Sequence, residues 1–220
     1  RCHLASAFFA SPFEEATLLV FDGAGEDVST TLAVGAGTDL RVLRSIPWPH
    51  SLGHFYSAMT GFLGFAMLDG EYKMMGLAPY GSPDYLPFIR QNILLTDAPG
   101  SYRLNGDLLD YHAALKKQFH PKLLEAFGSP RLSDDAPFTE RHRQIAASAQ
   151  AAFEEVVGDM ASWAFQQGGK RTNVAIAGGC GLNCSANGKL LRDGPFTRMY
   201  VPPAPHDAGC AVGAALLLHH

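Results

Sequence analysis

The chain has 220 residues, 47% of them apolar and 17% charged, with a formal net charge of −4. That length and apolar content exclude a disordered chain and allow a sizeable core. The acidic balance excludes a broad electrostatic footprint for nucleic acid. Charge this sparse, below the usual quarter of a soluble domain, fits a surface that is partly covered.

No apolar run approaches the length of a membrane span, so no membrane partner is expected. The opening RCHLASAFF has no basic start followed by an apolar stretch and a cleavage site, which points to a cytoplasmic location. The chain opens without Met and is expected to be a piece of a longer protein. Its four cysteines (Cys2, Cys180, Cys184 and Cys210) are too few for a disulfide scaffold, and free thiols are expected.

Taken in order, residues 17–22 (TLLVFD) read as an apolar strand ending at a carboxylate. A turn over 23–27 (GAGED), an alternating strand over 28–34, a Gly-rich turn and a third strand over 40–46 follow. Short turns between alternating runs predict antiparallel pairing. Ser51 stands where a helix N-cap belongs, before apolar residues at helical spacing from Phe55 to Ala66. Residues 70–137 are broken by prolines and read as an insertion of short helices with a hairpin near 101–110. Thr139 can cap a long helix over about 140–167, stopped at Gly168-Gly169. The end alternates: strand 173–177, helix 183–192, strand 198–201 and helix 207–218. This β-α-β-α order implies parallel strands. Three antiparallel strands leading into parallel βα units, with a mostly helical insertion, is the plan of one subdomain of the actin-like ATPase (ribonuclease H-like) α/β fold.

Several short segments carry chemistry. Asp22, Gly23, Gly25 and Glu26 form either a phosphate-approaching turn, with Asp22 holding a metal or a water, or a plain hairpin turn. Gly178, Gly179 and Asn183 join a buried strand to a helix. They suit a nucleotide, although Asn183 can equally cap the helix. Asp207 in HDAG is either an N-cap or a metal or phosphate ligand. His3 stands alone near the start, and His50 and His54 share i,i+4 spacing without the Glu of a zincin motif. Lys73 lies in GEYKMMGLAPYG, where it can neutralise phosphate charge or form a solvent-facing pair with an acid.

Five ordered blocks, SAFFASPFEEATLLVFDGAGE, PHSLGHFYSAMTGFLGF, GEYKMMGLAPYG, AGGCGLNCSANGKL and VPPAPHDAGCAVGAAL, resemble the O-carbamoyltransferase family. That family includes the nodulation-factor, cephem and aminoglycoside carbamoyltransferases. The resemblance implies O-carbamoyl transfer from carbamoyl phosphate to a hydroxyl of a small-molecule acceptor, through a carbamoyl adenylate made with ATP. It implies an actin-like transferase domain similar to the tRNA threonylcarbamoylation proteins. On that basis residues 1–220 are expected to be its C-terminal lobe, with an insertion at about 70–137. The N-terminal lobe and a YrdC-like adenylate-forming domain are the expected partners, and a homo-oligomer is compatible with this plan.

The same resemblance implies a divalent metal, of iron, manganese or zinc type, on a His-x3-His pair and an Asp. His3 matches the second His, the first falling just before residue 1, and Asp207 matches the carboxylate. Gly178, Gly179 and Asn183 match the nucleotide-side block, and Asp22, Gly23, Gly25 and Glu26 the phosphate turn. Lys73 and residues 76–81 match a Lys-x-Met-Gly-Leu-Ala block. Asp22 is the first candidate for the general base and Asp110 the second. Two other readings compete, an actin-like small-molecule kinase lobe and a non-catalytic nucleotide-binding module.

Overall fold

A computed structural model describes residues 1–109 and 119–220. The chain opens on helix α1 (Cys2–Phe8), then strands β1 (Glu15–Gly25), β2 (Val28–Ala36) and β3 (Asp39–Pro47). Helices α2 (Leu52–Phe62), α3 (Glu71–Leu77) and α4 (Leu86–Asn92) follow, with the short strands β4 (Leu94–Leu95) and β5 (Arg103–Leu104). Next come α5 (Pro121–Phe127), the long α6 (Glu140–Gln167), β6 (Asn173–Ala177), α7 (Cys184–Asp193), β7 (Arg198–Tyr200) and α8 (Cys210–His219). Among the described residues, no helix is long and apolar enough to cross a membrane.

These elements divide into two compact units: residues 1–53, 98–101 and 156–220, and residues 54–97 and 102–155. The second unit extends on both sides of the expected insertion, because it also takes most of α2 and the first part of α6.

The first unit is built on a five-stranded sheet in the order β3-β2-β1-β6-β7. β1 pairs antiparallel with β2, and β2 with β3, while β1-β6 and β6-β7 are parallel. This is the expected actin-like, ribonuclease H-like arrangement. The centre of β1, from Ala16 to Phe21, is buried throughout, as a strand with partners on both sides requires. β3 is one edge, and its Arg44 donates to the carbonyls of Pro99 at 2.7 Å and Gly100 at 2.9 Å while lying over the Trp163 ring.

The sequence reading contains no helix before β1, yet α1 is there. Its Leu4, Ala7 and Phe8 pack with Leu18, Val20, Ala175 and Ala177 in one apolar cluster. The turn between β1 and β2 is also tighter than 23–27. β1 continues to Gly25, and only Glu26 and Asp27 remain between the strands. Glu26 adopts φ 55°, the left-handed conformation that two-residue hairpin loops need.

The second unit has an aromatic core. Phe127 meets Phe62, Tyr85 and Phe88 edge-on, with ring centres 5.2–5.6 Å apart. Arg131 is buried, and it donates to the carbonyls of Ala136 at 2.7 Å, Leu63 at 3.0 Å and Asp134. The expected hairpin near 101–110 is instead the β4-β5 ribbon, which pairs Leu94 with Leu104. The N-terminus of α6 is a reciprocal cap. Thr139 Oγ1 accepts from the His142 amide at 3.4 Å, and His142 Nδ1 accepts from the Thr139 amide at 3.1 Å. His142 takes the place that Glu or Gln fills in a capping box.

Candidate functional site

Side chains from both ends of the chain meet in the first unit. His3 lies in the first turn of α1, Asp22 where the buried part of β1 ends, and Asp207 and Cys210 where a short turn leads into α8. His3 Nε2 stands 3.1 Å from Asp22 Oδ2 and 3.3 Å from Asp207 Oδ1. Cys210 Sγ lies 3.6 Å from both His3 ring nitrogens. His3 and Asp22 are each 13% exposed at the side chain, whereas Asp207 is 83% exposed. The group therefore has a sheltered side and a side facing solvent.

The other oxygen of Asp22 is fixed by backbone. Oδ1 accepts from the Gly179 amide at 3.1 Å. That amide is aimed by Gly178, which turns the chain out of β6 at φ 85°. A Cβ at Gly178 would lie 2.1 Å from the Phe21 carbonyl oxygen, so the parallel pair β1-β6 can close above its last ladder position only with glycine here.

The two principal groups hold each other's charge. The hydrogen bond to Asp22 raises the His3 pKa above its ordinary value; burial opposes the rise, and the charges of Asp22 and Asp207 add to it. Burial pushes the Asp22 carboxyl up, but hydrogen bonds from His3 and from the amides of Gly179 and Gly23 outweigh it and hold it low. Burial, Cys2 and the nearby Asp207 and Asp22 raise the Cys210 thiol. The contact between His3 and Asp22 thus favours the protonated imidazole and the ionised carboxylate together.

The remaining expected residues take several different places. Gly23 and Gly25 lie within β1 and Glu26 at its turn, with a register irregularity between Phe21 and Gly25. Asn183 is buried and caps α7, its Oδ1 accepting from the Ala186 amide at 3.0 Å. Asp207 does not cap its turn: the His206 ring accepts from the Ala208 amide at 3.3 Å, leaving Asp207 to face His3. Lys73 belongs to the second unit, on α3, where its ammonium pairs with Asp134 and is held protonated by that contact. Asp110 lies outside the described residues. His50 precedes α2, which begins at Leu52, so the His50/His54 spacing does not form one helical face.

Among the described residues, His3, Asp207 and Cys210 are the one set of three such side chains whose ligand atoms all lie within 4.8 Å of one another. Imidazole, carboxylate and thiol together form a donor set that suits a divalent cation, so the residues present fit the metal that the resemblance implies. Sequence reasoning placed Cys210 only among four thiols outside any disulfide, and none of the four forms one. The signal that finds it is Asp207-x-x-Cys210, three residues apart across the start of a helix, which sets both side chains on one side.

Residues 1–216 match the family described as Carbamoyltransferase N-terminus. An uncharacterised protein of Synechocystis sp. is 46% identical over the whole of this chain and 35% of its own length. The nodulation protein NolO of Bradyrhizobium diazoefficiens is 42% identical over 98% of this chain and 37% of its own. The 3'-hydroxymethylcephem-O-carbamoyltransferase of Streptomyces clavuligerus is 27% identical over 98% of this chain and 39% of its own. The chain thus spans little more than a third of the length of these relatives.

Proposed function

The chain belongs to the carbamoyltransferase family, and from that premise we propose that it forms the transfer site of an enzyme that carbamoylates a hydroxyl of a small molecule. The donor is carbamoyl phosphate, activated with ATP as a carbamoyl adenylate. A longer protein of cytoplasmic location carries the reaction, supplying a second actin-like lobe and an adenylate-forming domain. The observation that carries this reading is the meeting of His3, Asp22 and Asp207 at the C-terminal ends of β1 and β6, the edge where ligands of open parallel sheets bind.

His3 and Asp207 would hold the divalent cation, which, when bound, supplies Lewis-acid polarisation of the carbamoyl carbonyl. Asp22 takes the proton of the acceptor hydroxyl at Oδ2. Its Oδ1 is anchored by the Gly179 amide, so the carboxylate is oriented before the acceptor arrives. A proton on His3 Nε2 engages Oδ2 and makes Asp22 a weak base; an Nε2 without its proton would free Oδ2. The adenylate would approach over the strand ends beside the turn at 178–183, where the Gly178 and Gly179 amides are already bonded to the Pro205 carbonyl and to Asp22.

The test uses the full-length protein with ATP and labelled carbamoyl phosphate. Carbamoyl adenylate and its passage to a hydroxyl acceptor are expected. ATP consumption that is indifferent to carbamoyl phosphate would overturn the reading. The 27% identity to a cephem O-carbamoyltransferase makes hydroxymethyl compounds reasonable first acceptors to try.

A further inference from the structure

The thiol of Cys210 has no part in the chemistry just described, yet it is built into the centre. Two features hold it there. Asp207 and Cys210 are three residues apart on one turn running into α8, so any group that meets one from the His3 side meets the other. The backbones of α1 and α8 also touch beside them. A Cβ on Gly213 would lie 2.0 Å from the Cys2 carbonyl oxygen, which fixes α8 against the residue preceding His3.

The ligand atoms of His3, Asp207 and Cys210 lie within 4.8 Å of one another, close enough to share one cation. A tetrahedral cation with bonds of about 2.0–2.2 Å to nitrogen and oxygen and about 2.3 Å to sulfur places its N and O ligands about 3.4 Å apart and its N and S ligands about 3.6 Å apart. His3 Nε2 to Asp207 Oδ1 is 3.3 Å, and His3 Nε2 to Cys210 Sγ is 3.6 Å. Sγ is also 3.6 Å from Nδ1, so on taking up a cation at Nε2 the thiol or the imidazole would turn until the sulfur lies beside Nε2 alone.

We propose that Cys210 is a thiolate ligand of the cation held by His3 and Asp207, and that it makes the centre selective for borderline-soft cations such as zinc or ferrous iron over manganese or magnesium. The inference rests on the reading of His3 and Asp207 as ligands. On binding, the thiol gives its proton to solvent and a metal–sulfur bond forms, with no change of oxidation state. Thiolate favours softer cations, whereas an oxygen-rich site accepts hard ones equally well. Cys210 therefore sets which metal serves the reaction, while His3 and Asp207 serve any.

Cobalt(II) is the probe, because a thiolate ligand gives it a charge-transfer absorption that imidazole and carboxylate do not. The full-length protein, freed of metal and loaded with cobalt, is expected to show that band. Cys210→Ser is expected to lose the band while still binding cobalt. The same variant should bind zinc more than about tenfold less tightly, the scale on which even outer-shell partners act, with manganese affinity nearly unchanged. Cobalt bound without the band in the unaltered protein would overturn the role of Cys210 and leave the His3–Asp207 reading standing. A band that persists in Cys210→Ser would assign the sulfur to another cysteine and overturn the proposal as well. Failure of the unaltered protein to bind cobalt, zinc or manganese would overturn the underlying ligand reading, and the proposal with it.

Discussion

Two histidines near helix starts, one in each unit, show opposite uses of the same side chain. His3 faces Asp22 and Asp207, and its positive form is favoured. His142 is buried among Arg141, Arg131 and Arg143, and burial foremost, then these charges, favour its neutral form. His142 spends its ring nitrogen on the amide of Thr139, three residues away. His3 joins a strand end and a helix start that are remote from it in sequence. A structural histidine completes local backbone bonding; a functional one gathers charges that local bonding does not require.

The strongest way to break this contrast is Asp22→Asn. Asn keeps an oxygen for the Gly179 amide but cannot take a proton. Transfer to the acceptor should fall by about 10²–10⁴-fold, the usual contribution of a positioned base, with circular dichroism unchanged. His142→Gln, which retains an acceptor for Thr139, should leave the rate intact. Equal losses in the two variants would erase the distinction between the histidines.

Gly178→Ala comes next. Left-handed backbone and a clash with the Phe21 carbonyl both oppose a methyl group there. A loss of about 3 kcal/mol is expected in urea unfolding. A near-neutral result would mean that the Gly179 amide is not pinned to Asp22 by this turn.

How much of this was legible beforehand depends on the reach of each signal. The β1-β2-β3 meander and the closing β-α-β-α are written in local alternation and apolar runs, and both formed as expected. Helix α1 has seven residues, too short for a period to show, and it holds through packing of Leu4, Ala7 and Phe8 on the sheet. His3 and Asp207 were suggested by family resemblance, because nothing local in CHLASAF or HDAG says that they meet. Asn183 and Asp207 each carried a cap reading. Asn183 does cap its helix, but at the second position the neighbouring His206 supplies the cap. Adjacent residues can compete for one free amide, and the local sequence does not say which prevails.

The cap at α6 yields a smaller, pH-dependent effect. His142 has a folded-state pKa below its ordinary 6.5, so its stabilising contribution is complete above that value and is lost as pH falls through the lower one. His142→Ala should cost about 1 kcal/mol near pH 8 and should flatten the decline in stability below pH 6.5. Thermal melts of the two proteins across pH 4.5–8 would measure it. An equally steep decline in His142→Ala would show that the acid sensitivity arises elsewhere.

The smallest effect tests whether a glycine in the second unit resembles Gly178. Gly76 lies in the KMMGLAPYG run, inside α3, and a Cβ there would meet nothing within 4 Å. Gly76→Ala should therefore stabilise the chain by about 0.5–1 kcal/mol, the helix-propensity difference. Combined with enzyme kinetics, this substitution separates two meanings of a glycine. If stability rises and the rate holds, the residue is tolerated and the block works through Lys73. If stability rises and the rate collapses, the backbone near Gly76 is reserved for a ligand's close approach.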